Sequence, residues 1–116
     1  MLFEPGPNYA RKADDIPEEP GVFKSGLGAG VPRCASCPSP AYSDAARAAK
    51  FHGTVLLSIV VTTEGKVTSI YVLKGVPFGL TTKAIEAVQD WRFEPALKDR
   101  KPVPVRVQVE ITFHLD

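Results

Sequence analysis

The sequence predicts an α+β fold of order α-β-β-α-β, preceded by a linker rich in proline and glycine. Three observations carry that prediction. Residues 103–115 alternate without a fault, Val103, Val105, Val107, Val109, Ile111, Phe113 and Leu115 facing one way and polar residues the other. Residues 54–62 and 67–73 are two apolar, β-branched runs separated by Thr63-Glu64-Gly65-Lys66. Ala84, Ile85, Val88 and Trp91 recur at helical spacing. Period two marks strands with one buried face, and a period near 3.6 marks an amphipathic helix.

Each element has its own signal. Ser43 can cap a short first helix, with Asp44 in its first turn and Arg47 and Lys50 toward its C-terminus. Anions suit the first turn and cations the last. Gly53 ends the run, and Val55, Leu57, Ile59 and Val61 form one face of the first strand. Gly65 supplies the left-handed conformation that a hairpin turn requires. The apolar phase of the second strand shifts between Val67 and Ile70, which predicts a bulge or a strong twist there. Gly75, Pro77 and Gly79 connect to a second helix running from Thr81 or Thr82 to about Trp91. Pro95 ends that helix, because a residue preceding proline resists helical geometry. Lys98-Asp99-Arg100-Lys101-Pro102 is a charged turn before the final strand.

The topology follows. The hairpin strands are antiparallel, and a right-handed helical crossover returns the third strand parallel to the second. A three-stranded mixed sheet of order 2-1-3 results, with both helices on one face. The final strand lies at an edge, and Pro104, which has no N–H to donate, suits an edge. A long exposed edge invites another strand.

Seven of the eleven prolines and five of the nine glycines precede Tyr42. Residues 1–37 therefore read as a linker, extended or disordered, with Phe3, Tyr9 and Phe23 as candidate docking points. Residues 38–116 read as the folded domain. Asp14, Asp15, Glu18 and Glu19 form a short acidic patch in the linker. Gly26-Leu27-Gly28-Ala29-Gly30 has no preceding strand and no Lys-Ser/Thr ending, so it reads as a spacer and not a phosphate loop. The first residues show no basic stretch followed by an apolar one, and they read as mid-linker. The expectation is a piece of a longer protein.

A net charge of +1, from 14 basic and 13 acidic residues, argues against a nucleic-acid partner. No apolar run is long enough to span a bilayer as a helix. Cys34 and Cys37 have the spacing of a small disulfide, a redox pair or half a zinc site. Zinc would need four ligands, and His52 and His114 are unsuitably spaced to complete the set. His52 reads as a solvated helix-end residue and His114 as a wet-face strand residue. Trp91 reads as core. No nucleophile–base set can be assembled, and the linker carboxylates have nothing to hold them in catalytic geometry. The expectation is no enzyme activity and no cofactor.

Several motifs together carry a resemblance. They are Gly53-x-Val55, Thr63-Glu64-Gly65-Lys66-Val67, Ala84-x-x-Ala87-Val88-x-x-Trp91-Arg92-Phe93-x-Pro95-Ala96, and the alternating strand through Ile111-Thr112-Phe113. From about residue 38 to 115 the chain resembles the C-terminal domain of TonB, the energy transducer of Gram-negative bacteria. The resemblance implies a periplasmic domain, anchored to the inner membrane beside a proton-driven motor through segments absent from this chain. It implies a grip on the TonB box, a short peptide of outer-membrane transporters, by strand addition to the final strand. The residues so implicated are Val103, Val105, Arg106, Val107, Gln108, Val109, Glu110, Ile111, Thr112 and Phe113, with Arg106, Gln108 and Glu110 flanking the added strand. A family Pro-x-Tyr-Pro stretch that also touches the box matches at Pro40 and Tyr42, whereas Ser43 replaces its second proline. A periplasmic location would favour the Cys34–Cys37 disulfide.

Other readings stay open at this point. The domain could instead be the sensing or scaffolding tail of a membrane regulator, or a small thiol-redox protein built on Cys34 and Cys37. The strand edge could also pair with a second copy to give a homodimer.

Overall fold

The computed structural model describes residues 8–26 and 28–115. Phe3, Leu27 and Asp116 lie outside the described residues. The central elements are β5 (Gly53–Val61), β6 (Val67–Lys74) and β10 (Val105–Phe113), with helices α1 (Asp44–Ala48) and α2 (Leu80–Gln89). β5 pairs antiparallel with both β6 and β10, giving the expected order β6-β5-β10.

The fold class needs one correction: the sheet has six strands, ordered β1-β6-β5-β10-β2-β3. The added strands come from the N-terminal region. β1 (Asn8–Tyr9) lies parallel to β6, β2 (Phe23–Ser25) lies parallel to β10, and β3 (Gly28–Ala29) pairs with β2. β4 (Arg33–Ser36) pairs with β7 (Arg92–Glu94), and β8 (Ala96–Lys98) with β9 (Lys101–Val103), as two separate ribbons. These strands are two to four residues long, too short to show a period of two.

The core lies where the periodicity places it. Val55, Leu57, Ile59 and Val61 of β5, Val72 of β6, and Val105, Ile111 and Phe113 of β10 are buried with Ala46 of α1 and Leu80, Ala84 and Val88 of α2. Both helices thus deliver their apolar sides to one face of the sheet. Ser43 caps α1 as expected, its hydroxyl accepting the Ala46 N–H at 3.1 Å. Lys50, at φ 52°, and not Gly53, turns the chain out of α1.

α2 begins at Leu80, behind Gly79 at φ 72°, and the Thr81 hydroxyl accepts the Val76 N–H at 2.8 Å. It stops at Gln89, before Pro95, because residues 92–94 extend to pair with β4. Trp91 therefore follows the helix. Its ring is half-buried beside Phe93, and its Nε1 donates to the Pro38 carbonyl at 2.9 Å.

Two irregularities have local causes. The register between β5 and β6 shifts between Ser58 and Val60, where the opposing residues are Tyr71 and Thr68. Ser69 takes φ 50° in that stretch, which is the bulge the phase shift predicted. The final strand is not continuous from residue 103. It breaks at Pro104, so Val103 belongs to β9 and the long strand starts at Val105.

Candidate functional site

β10 carries its apolar side chains toward the helices and its polar ones toward the opposite face. Its backbone decides which groups reach the edge. The Pro104 carbonyl accepts the Phe23 N–H at 3.0 Å, so position 104 faces away from β5. In a strand, the N–H and C=O of one residue share a side and alternate with its neighbours. Gln108, Glu110 and Thr112 therefore direct their backbone groups outward, whereas Val107, Val109 and Ile111 direct theirs into the β5 ladder. Among the described residues, no strand pairs with residues 107–113 on the outer side.

The side chains divide as follows. Val105, Ile111 and Phe113 are buried, and Val107 and Val109 are half-buried against the same core. Gln108, Glu110 and Thr112 are exposed, the Thr112 hydroxyl lying 3.2 Å from that of Thr54 on β5. Arg106 does not lie along the edge. It reaches back across the open face of the sheet, where its Nη1 donates to Ser58 Oγ at 3.2 Å and to the Ser69 carbonyl at 3.0 Å. Its Nη2 meets Glu19 Oε1 at 3.0 Å and Ser69 Oγ at 2.6 Å, and its guanidinium lies 5.4 Å from the Tyr71 ring centre. Ser58, only 1% exposed, is the buried polar partner of this network.

Two clefts flank the edge. One, of about 450 Å³, is bordered by Lys24, Ser25, Val31, Val107 and Gln108. The other, of about 180 Å³, lies among Cys37, Pro40, Trp91, Glu110 and Thr112. Pro40 thus stands beside the outer end of β10. Tyr42 instead packs inward, its ring edge-on to Phe113 at 5.6 Å and its hydroxyl donating to the Phe51 carbonyl at 2.7 Å.

Cys34 and Cys37 are joined in a disulfide. That closed loop leads directly into the Pro38 to Pro40 segment pinned by Trp91. At the far end of β10, His52 and His114 come together, their Nδ1 atoms 3.1 Å apart. No local sequence pattern links the two; the pairing of Phe113 with Gly53 makes them neighbours.

Sequence reasoning missed Glu19, Ser58 and Ser69 as neighbours of this site, whereas Phe23, a candidate docking point, does pack against the core beside Val105. Among the missed residues Ser58 alone carried a signal, as a small polar residue inside a strand otherwise apolar on both faces from Val55 to Val61. Among the described residues, no group of three or more His, Cys, Asp or Glu side chains is placed to hold a metal, and no helix is long and apolar enough to cross a membrane.

A family model described as the C-terminal region of the Gram-negative bacterial TonB protein matches residues 38–115. The solution structure of the Pseudomonas aeruginosa TonB C-terminal domain is similar at a TM-score of 0.61 and 26% sequence identity, over 73% of this chain and 87% of that one. No curated protein matches the sequence.

Proposed function

Because this chain belongs to the family of Gram-negative TonB C-terminal domains, we propose that it binds the TonB-box peptide of outer-membrane transporters by strand addition to β10. Membership makes it a non-enzymatic adaptor, the energy-transducing domain of its family. In this reading the domain works in the periplasm. An inner-membrane anchor and a proton-driven motor act on it through segments outside this chain, and tension on the bound peptide opens the transporter to its nutrient.

The observation that carries the proposal is the row of outward backbone groups at Gln108, Glu110 and Thr112. Their N–H and C=O groups have no strand partner among the described residues. An added strand would satisfy them without demanding a particular side-chain sequence, which suits an adaptor serving several transporters. Each backbone bond is worth only roughly 1 kcal/mol net. A load pulled along the strand is shared among them, so a ladder resists force better than a single contact of equal affinity. Pro40, beside Glu110 and Thr112, would meet the peptide at the outer end.

The test is an NMR titration of the labelled chain with synthetic TonB-box peptides. Saturable shifts centred on the amides of Gln108, Glu110 and Thr112 are expected. Absence of shifts with every peptide, under oxidising and reducing conditions alike, would remove the proposal.

A further inference from the structure

The chain already places a strand on the edge that the proposed peptide would use. β2 runs parallel to β10, with Phe23 opposite Val105 and Lys24 opposite Arg106. The Phe23 N–H donates to the Pro104 carbonyl at 3.0 Å. In this register the backbone groups of Arg106 also face β2. The first ladder positions of the edge are therefore occupied, and among the described residues none pairs with the outer side of residues 107–113.

A small set of contacts holds β2 there. Glu19 accepts hydrogen bonds from Arg106 and from the Ser69 hydroxyl. The Lys98 ammonium lies 4.4 Å from the Phe23 ring centre. Ile16, upstream, is buried at 7% exposure. Against this, β2 has three residues, only two of them paired with β10. The Glu19 side chain is 40% exposed, so its ion pair with Arg106 is partly screened by water. A peptide strand running the length of β10 would form more backbone bonds than β2 does.

We infer that residues 19–25 are a displaceable latch, an intramolecular strand that an incoming extended peptide must release to use the full edge. This rests on the strand-addition reading above. Being tethered, the latch competes at an effective concentration of roughly millimolar order. It lowers apparent peptide affinity by the fraction of chains in which β10 is open. While closed, it confines a partner to the three outward positions at Gln108, Glu110 and Thr112. When released, it adds the positions at Pro104 and Arg106 and frees the Arg106 guanidinium from Glu19.

The experiment uses the labelled full chain, a synthetic TonB-box peptide, and the variants Glu19→Ala and Phe23→Pro. Phe23→Pro deletes the N–H that Pro104 receives, and Glu19→Ala removes the anion on Arg106. In both, unchanged Val109 and Ile111 amide shifts establish that the β5–β10 ladder persists. At peptide saturation, the resonances of Phe23–Ser25 are expected to move to coil positions in step with those of Gln108 and Thr112. Each variant is expected to bind roughly tenfold more tightly than the intact chain. If residues 107–113 shift while Phe23–Ser25 stay in place and neither variant changes Kd, the latch is overturned and strand addition stands. If the peptide binds neither the intact chain nor a variant, strand addition fails and the latch falls with it.

Discussion

Gly65 turns the hairpin between β5 and β6 at φ 80°, and its carbonyl accepts the Phe93 N–H at 2.8 Å. A Cβ added there would overlap the Phe93 carbonyl oxygen, which is backbone and cannot rotate away. Left-handed geometry costs an alanine about 1–2 kcal/mol, and overpacking typically costs about 1–3 kcal/mol more. Gly65→Ala is therefore expected to lose about 3 kcal/mol and lower the thermal midpoint by roughly 10 °C. A midpoint within about 2 °C of the parent would mean that β7 moves aside freely. The turn glycine was legible from Thr-Glu-Gly-Lys between two apolar runs. Its contact with Phe93 was not, because 28 positions separate them and no local pattern links them. Arg106 teaches the same lesson. Alternation put it on the wet face correctly, but only the positions of Ser58, Ser69 and Glu19 turn it inward.

β10 separates two kinds of backbone position one residue apart. The Val109 N–H points into the β5 ladder, opposite Leu57, whereas the Glu110 N–H points out. Proline removes that N–H in either case, with opposite consequences. Val109→Pro is expected to destabilise the domain by roughly 3 kcal/mol, read from a denaturant midpoint. Glu110→Pro is expected to stay within about 1 kcal/mol of the parent yet abolish the peptide-induced shifts at Gln108 and Thr112. Equal destabilisation by the two prolines would refute the outward assignment of residue 110. The strand itself was plain in the sequence because its valines never break phase. Its true start was not, since side-chain alternation runs straight through Pro104 while backbone pairing does not.

At the scale of the molecule, the N-terminal region guards both edges of the central sheet. β1 covers Tyr71 and Val72 of β6, and β2 covers Val105 and Arg106 of β10, which shortens the open edge available for indiscriminate pairing between copies. The disulfide belongs to this outer layer. It closes a loop with only Ala35 and Ser36 inside, between β4 and the segment held by Trp91. Chain-entropy arguments assign so short a loop roughly 2 kcal/mol. Replacing both cysteines by serine is thus expected to leave β5, β6, β10 and α2 protected from hydrogen exchange, while protection at residues 33–36 and 92–94 falls. Loss of protection throughout the central sheet would show instead that the disulfide supports the core.

The sequence by itself determined the helices, the three long strands, their order, the turn at Gly65, the bulge near Ser69 and the family. Each of these rests on local periodicity, on a residue with special backbone geometry, or on a motif within a short stretch. Tertiary structure alone decided that residues 8–29 supply strands of the main sheet and residues 33–36 a strand of a separate ribbon, that Tyr42 packs inward while Pro40 meets the edge, and that β2 occupies the first positions of β10. Apart from the local β2–β3 pair, those features depend on strands of two to four residues paired across 56 to 82 positions of chain. Such pairing is stabilised by the partner edge and its side-chain network, and it leaves no periodic trace in the residues that do the pairing.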